Sequence, residues 1–247
     1  MEDVNLRVNF KGVAPLSSRQ KTNRGDGMLH HILNALRNKN LFLRERKSIQ
    51  LKALSLLLYH LGLSLRHTSA ITRFIDPVSH ESIRKWYARC RGIFSSQKKE
   101  RLYIAIDETK IKVRGREMFL WAAIDISSWE VISVRVSQGR SGFEAYNFIK
   151  DVLRKCDGRP TIYVDRGPWY RWALTRLGVP YRYSKFGPRN PVEQWFGIFK
   201  HRIARFYRRW PHNASLKAVK DWVKAFLLFT IHLNMEVVKL TSSSFNT

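Results

Sequence analysis

At 247 residues the chain has room for two small domains or one large one. With 44% hydrophobic and 26% charged residues it can build a core and need not be disordered. Lys and Arg outnumber Asp and Glu by 45 to 19, a net charge of +26, which argues against a neutral metabolic enzyme and for a polyanionic partner.

The excess is not a basic tail. Successive blocks of fifty residues carry +6, +6, +2, +6 and, in the shorter last block, +6, as an extended polyanion-binding surface requires. An anionic membrane is the weaker partner. The apolar stretch from Ala53 to Leu65 contains His60 and falls short of the roughly 20 residues of a span. Residues Met1 to Phe10 lack a basic start followed by an apolar run, so secretion is not expected. Cys90 and Cys156, the only cysteines, have no C-x-x-C spacing and offer neither a disulfide framework nor a zinc ribbon. A cytoplasmic, nucleoid-associated protein is the expectation.

Residues 1–45 read as a basic arm with the turn formers Asn23-Arg24-Gly25-Asp26-Gly27, ending in a short helix carrying Leu29, Ile32 and Leu36. Residues 46–98 have helical spacing. Leu51, Leu54, Leu58 and Leu61 recur every three or four positions, and Gly62 is a natural stop. Ser64 can cap a second short helix and Ser79 a third, in which Ile83, Trp86, Tyr87 and Cys90 form one buried face. That helix carries Arg84, Lys85 and Arg89 on its other faces, so a helix-turn-helix that presents them to a DNA groove is expected. The competing reading is a solvated basic helix in a packing domain.

From about Arg101 the period becomes that of strands. Leu102–Ile106, ending at Asp107, then Phe119–Ile126 and Val131–Val136 read as an antiparallel three-strand meander. A helix from Gly142 to Cys156 leads to the strand Thr161–Val164 with Asp165 at its end. A crossover helix between two apolar strands implies parallel pairing, which sets Asp107 and Asp165 at one sheet edge. A helix around Trp169–Leu177 and a short strand at Tyr181 follow.

Asn190 as N-cap and Pro191 then mark a further helix start, with Glu193 in its first turn and Lys200 two turns on. Glu193 is the only acid between Tyr181 and Trp210, a stretch that also holds Arg182, Lys185, Arg189, Arg202, Arg205, Arg208 and Arg209.

Each carboxylate has an ordinary structural explanation. Asn190-x-x-Glu193 resembles a capping box, and strand-end aspartates are common turn residues. Together, two aspartates at neighbouring strand ends and a glutamate on a following helix are what a two-metal phosphodiester site needs. Hard oxygen ligands suit two Mg²⁺ ions, with Mn²⁺ as a substitute, and surrounding cations such as Lys200 and Arg189 hold the DNA backbone. Glu108 and Asp125 read as structural or supporting acids, and Trp195, Phe196 and Phe199 as packing residues rather than base-stacking ones.

The segments AIDETKIKVRG, YVDRGPWY and RNPVEQWFGIFKHR resemble the catalytic blocks of DDE transposases from bacterial and archaeal insertion sequences, in particular the IS-six-like group. The resemblance covers roughly residues 45–235. It implies an α/β fold: a helix-turn-helix over residues 46–98, preceding an RNase H-like catalytic domain over residues 99–240 that ends in a C-terminal helix. It implies Asp107, Asp165 and Glu193 as the metal-binding triad, with Lys200 as the basic residue two turns beyond. Implied partners are the terminal inverted repeats and target DNA, bound by a homodimer or higher oligomer. Asp165 and Glu193 are 28 positions apart, fewer than the roughly 35 the resemblance implies, a difference that loop length can absorb. A nuclease or resolvase without strand transfer, and a catalytically inactive DNA-binding protein, are the alternatives.

Overall fold

The computed structural model describes residues 28–42, 45–92, 96–185, 187–204, 210, 214–227 and 229–230. The first 27 residues of the basic arm, Arg205, Arg208, Arg209 and Ile231 lie outside that set.

The expected meander is present. Strands β2 (Tyr103–Val113), β3 (Arg116–Asp125) and β4 (Val131–Ser137) pair antiparallel, while β6 (Thr161–Val164) joins β2 in parallel and β7 (Tyr181–Tyr183) joins β6 in parallel. The sheet order β4-β3-β2-β6-β7 is that of an RNase H-like domain. The two-residue strands β1 (Lys99–Glu100) and β5 (Cys156–Asp157) form a small parallel pair of their own.

Two sequence expectations are corrected. Leu102 is 60% exposed, and β2 starts one residue later and runs on to Val113, so Asp107 sits within a strand rather than at its end. Polar residues from Asp107 to Lys110 interrupt the apolar run, yet all four remain paired to β3, from Ala122 to Phe119. The helix that carries Glu193 also starts differently. In α7 (Asn190–Ala204), the Val192 and Glu193 amides donate to the Arg189 carbonyl, and the Asn190 side chain accepts from the Gly187 amide. Arg189 therefore holds the cap position, and the capping box does not form.

Side-chain alternation along the sheet builds a core on each face. Ile104 and Ile106 of β2, with Trp121, Ile162 and Val164, pack under α5 (Gly142–Leu153) and α6 (Pro168–Leu177) through Phe148, Ile149, Tyr170 and Leu174. Ala105, Leu120, Ala122 and Ile124 face the other way, against Val192, Trp195, Phe196 and Phe199 of α7 and Val219, Val223 and Phe226 of a final helical segment, 216–227. The aromatic residues of α7 are thus packing residues, as expected.

The N-terminal helices are α1 (Met28–Asn38), α2 (Ile49–His60), α3 (Leu65–Thr72) and α4 (His80–Arg89). Ser48, Ser64 and Ser79 cap the last three, each accepting from an amide three residues on. Gly62 follows α2 with φ 115°, a conformation that favours glycine. Ile32, Leu36, Leu51, Leu56, Ile83, Trp86 and Tyr87 share one core with Ala225 and Phe229. This helical layer is tied to the sheet layer by Arg202 of α7, which donates to the Tyr59 carbonyl at 2.7 Å and the His60 carbonyl at 3.1 Å. Among the described residues, no helix is long and apolar enough to cross a membrane.

Candidate functional site

Period-two alternation decides which face each acid takes. Asp107 follows Ala105 and so turns to the α7 side, whereas Glu108 follows Ile106 to the α5/α6 side. Ala105 pairs in register with Tyr163. β6 ends at Val164 and Asp165 directly follows it, close enough to Asp107 for its charge to act on the Asp107 carboxyl, as the crossover argument expects.

Each aspartate is fixed by a local backbone bond. Asp107 Oδ1 accepts from the Glu108 amide at 2.9 Å, and Asp165 Oδ1 accepts from the Gly167 amide at 2.8 Å. Gly167 is required for that approach. A Cβ there would lie 2.6 Å from the Trp169 ring and 2.9 Å from Asp165 Oδ1.

Glu193 comes to this pair through a guanidinium. Arg189 Nη2 lies 2.7 Å from Asp107 Oδ2 and 3.8 Å from Glu193 Oε1, so one cation stands between the two acids. Arg189 is only 7% exposed and also donates to the Ser184 carbonyl. Arg189, expected from the sequence as a DNA-backbone contact, is engaged with carboxylates inside the protein in this structure. The i,i+4 spacing to Glu193 was the available signal for that pairing.

Burial lifts the Asp107 carboxyl above its ordinary range, with Arg189 pulling it back down and Asp165 adding a smaller push upward. Glu108 is likewise lifted, first by burial, against the hydrogen bond it accepts from the Tyr170 hydroxyl. Its other oxygen lies 3.4 Å from Arg140 Nη1. Asp125 is structural. It pairs with buried Arg101 at 3.0 Å and accepts from the Ser127 amide.

Among the described residues, no three His, Cys, Asp or Glu side chains stand close enough together to hold a metal ion directly. Asp107 and Asp165 are brought together; Glu193 is separated from them by the Arg189 guanidinium. The donors are nonetheless all hard carboxylate oxygens, the set that suits Mg²⁺ or Mn²⁺, and a cation already bridges two of the three.

The expected DNA-binding residues fall into two places. Lys200 is exposed on α7 beyond Glu193. Arg84 and Lys85 of α4 line a cleft of about 1120 Å³ together with Arg66, Arg91 and Lys217. Arg84 is held by Glu81 through bonds of 2.8 and 2.6 Å, while Arg89 pairs with Glu45.

A family model described as the DDE domain matches residues 102–231. An uncharacterized protein of Methanocaldococcus jannaschii is 41% identical over 192 residues, 77% of this chain and 90% of that one. A second, from Aquifex aeolicus, is 46% identical over 55 residues, 22% of this chain and 46% of its own length. Among solved structures, the catalytic core domain of BIV integrase aligns at a TM-score of 0.39 and 15% identity, covering 56% of this chain and 97% of that one.

Proposed function

This chain belongs to the DDE-domain family of transposases and is a polynucleotidyl transferase of that type, and from that membership we propose that it cuts DNA at the ends of a mobile element and joins the freed ends to target DNA. The observation that supports the reading most is the parallel pairing of β2 with β6, the strand that Asp165 directly follows, together with the Arg189 guanidinium that lies between Asp107 and Glu193.

Asp107, Asp165 and Glu193 would hold two Mg²⁺ ions, or Mn²⁺ in their place, on the α7 face of the sheet. Bound there, the ions would supply the Lewis acidity and charge neutralisation that a phosphodiester displacement needs. Arg189 has to give up Asp107 for this to happen, and a phosphate oxygen of the DNA is a natural new partner for its guanidinium. Glu108, held by Tyr170 and Arg140, braces β2 next to Asp107 from the opposite face.

The chemistry is two in-line displacements without a protein nucleophile. Water attacks phosphorus at the element end, the P–O3′ bond breaks and a 3′-hydroxyl is freed. That hydroxyl then attacks a target phosphodiester, displacing its 3′-oxygen. Exposed Lys200, and Arg84, Lys85 and Arg89 on α4, would hold the DNA backbone, with α3 and α4 acting as a helix-turn-helix over residues 46–98. Joining two ends calls for at least a dimer on the DNA, working at the nucleoid in the cytoplasm.

The test is incubation of the protein with labelled duplexes carrying the inverted repeats that flank its reading frame, with Mg²⁺. Cleaved and joined products are expected, lost in Asp107→Asn, Asp165→Asn and Glu193→Gln while binding persists. Cleavage alone would reduce the protein to a nuclease, and a mobility shift alone to a DNA-binding protein. Full activity in any of the three variants would overturn the triad.

A further inference from the structure

On the α5/α6 side of the sheet, by the start of the helix that follows Asp165, lies a shelf of aromatic rings that packing does not explain. A cleft of about 550 Å³ opens between the first turns of α5 and α6, lined by Arg140, Phe143, Trp169 and Trp172. Phe143 is 66% exposed and Trp172 50% exposed. Single exposed apolar residues need no explanation. Two large rings exposed in one cleft do, one of them, Trp172, seven residues downstream of Asp165 and the other, Phe143, in the first turn of α5.

The shelf is held in place. Trp172 rests against the start of α5, where a Cβ on Gly142 would lie 3.1 Å from its ring, and Tyr146 packs at 5.9 Å between centroids. Glycine at 142 therefore lets the indole approach the backbone closely. Arg140 lies over the Trp169 ring at 4.2 Å and reaches Glu108, the neighbour of Asp107. Arg176 lies 6.0 Å from the Trp172 ring. Trp172 is thus pre-positioned, and the Trp169 and Trp172 rings are each flanked by a cation.

We propose that this cleft is a stacking site for an unpaired nucleobase of the DNA strand whose backbone passes the Asp107–Asp165 pair, with Phe143 and Trp172 as the stacking rings and Arg140 as the adjacent cation. The inference rests on the DNA-processing reading above and names a contact that reading does not contain. Charge decides the occupant. An apolar protein partner has no use for Arg140 and Arg176 beside the rings, whereas a nucleotide matches ring, cation and the amide-bearing first turns of two helices at once. Stacking is also indifferent to base identity, which suits a strand position adjoining a cut in varied flanking DNA.

The experiment uses the full chain in EDTA, so that no cleavage occurs, and two probes: a single-stranded oligonucleotide bearing one 2-aminopurine, and the same strand fully paired in a duplex. Wild-type protein is expected to quench the unpaired analogue. Phe143→Ala and Trp172→Ala should each weaken single-strand binding about 5- to 150-fold, the range of one lost base–aromatic stack, and leave duplex binding unchanged. Trp172→Tyr should restore most of the quench. Because Phe143 is the more exposed ring, its variant reports even where loss of Trp172 disturbs α5 packing. Undiminished quenching in Phe143→Ala and in folded Trp172→Ala overturns the shelf. Parallel cleavage assays with Mg²⁺ separate the two readings. Cleavage without ring-dependent quenching removes the shelf alone, whereas ring-dependent quenching without cleavage keeps the shelf and removes the transferase chemistry proposed for this chain.

Discussion

Replacing Arg189 by Gln tests whether its guanidinium stands where a divalent cation belongs. Its side chain is 8% exposed and that of Asp107 14%, so the pair at 2.7 Å is largely desolvated. Breaking such a pair by removing one partner costs about 3–5 kcal/mol when the remaining charge has no relief. Asp107 has some: it keeps the Glu108 amide, and burial already raises its pKa, so it can take up a proton. The lower end, about 3 kcal/mol, is therefore expected, a fall of roughly 6–12 °C in Tm for a chain of this size.

The opposite sign is expected once metal is added. In the wild-type protein a cation must displace Arg189 from Asp107, whereas in Arg189→Gln it meets carboxylates already unpaired. Each 1.4 kcal/mol of released competition is about tenfold in affinity, and tighter binding raises Tm further at a given metal concentration. Thermal unfolding in EDTA and across a Mg²⁺ or Ca²⁺ titration measures both effects. Arg189→Lys, which keeps the charge without the fork, should fall between. A variant destabilised in EDTA but no more responsive to metal than wild type would make Arg189 a scaffold residue and refute the argument.

Three further outcomes can be checked. His60, packed against Phe226 and Phe229 and held down to about 3 by burial and the Arg202 charge, is neutral in the fold. The unfolded chain, with an ordinary imidazole near 6.5, takes up its proton first as pH falls, so His60 costs stability below about pH 6.5 and about 2 kcal/mol by pH 5; a wild-type acid limb no steeper than that of His60→Phe in urea titrations would contradict this. Gly167→Ala forces either Trp169 or Asp165 to move, and should cost about 1–3 kcal/mol in stability together with most of the turnover, so unchanged cleavage would show that the Asp165 position is not critical. Arg84→Ala should lower the slope of log K against log salt by about 0.9, and an unaltered slope would take α4 out of the DNA interface.

Much of this architecture was legible in the sequence because its signals are local. Ser64 and Ser79 announced helix starts by side-chain chemistry that needs no tertiary partner, and Gly62 announced an end in the same way. The apolar alternation of the meander and the helix between Asp107 and Asp165 fixed parallel pairing, and with it the neighbouring aspartates. What went astray lies where tertiary contacts overrule local pattern. Strand β2 was cut short because Asp107, Glu108, Thr109 and Lys110 break the apolar run, and they do so where the sheet is left open to form the site. Asn190 fits the cap position by propensity, but the chain turns one residue earlier because the Arg189 carbonyl receives the first helical amides.

That displacement by one residue matters for chemistry. With the cap at Arg189, its side chain leaves the first turn of α7 toward Asp107 while Glu193, one turn on, projects beside it, and the i,i+4 pair closes over the aspartates. If the chain acts on DNA as proposed, bare carboxylates at its centre would face repulsion both within the fold and from the substrate. Buried Arg189, one turn before Glu193, relieves the repulsion within the fold, and in the proposed reaction a DNA phosphate would give its guanidinium a place to go when a cation binds.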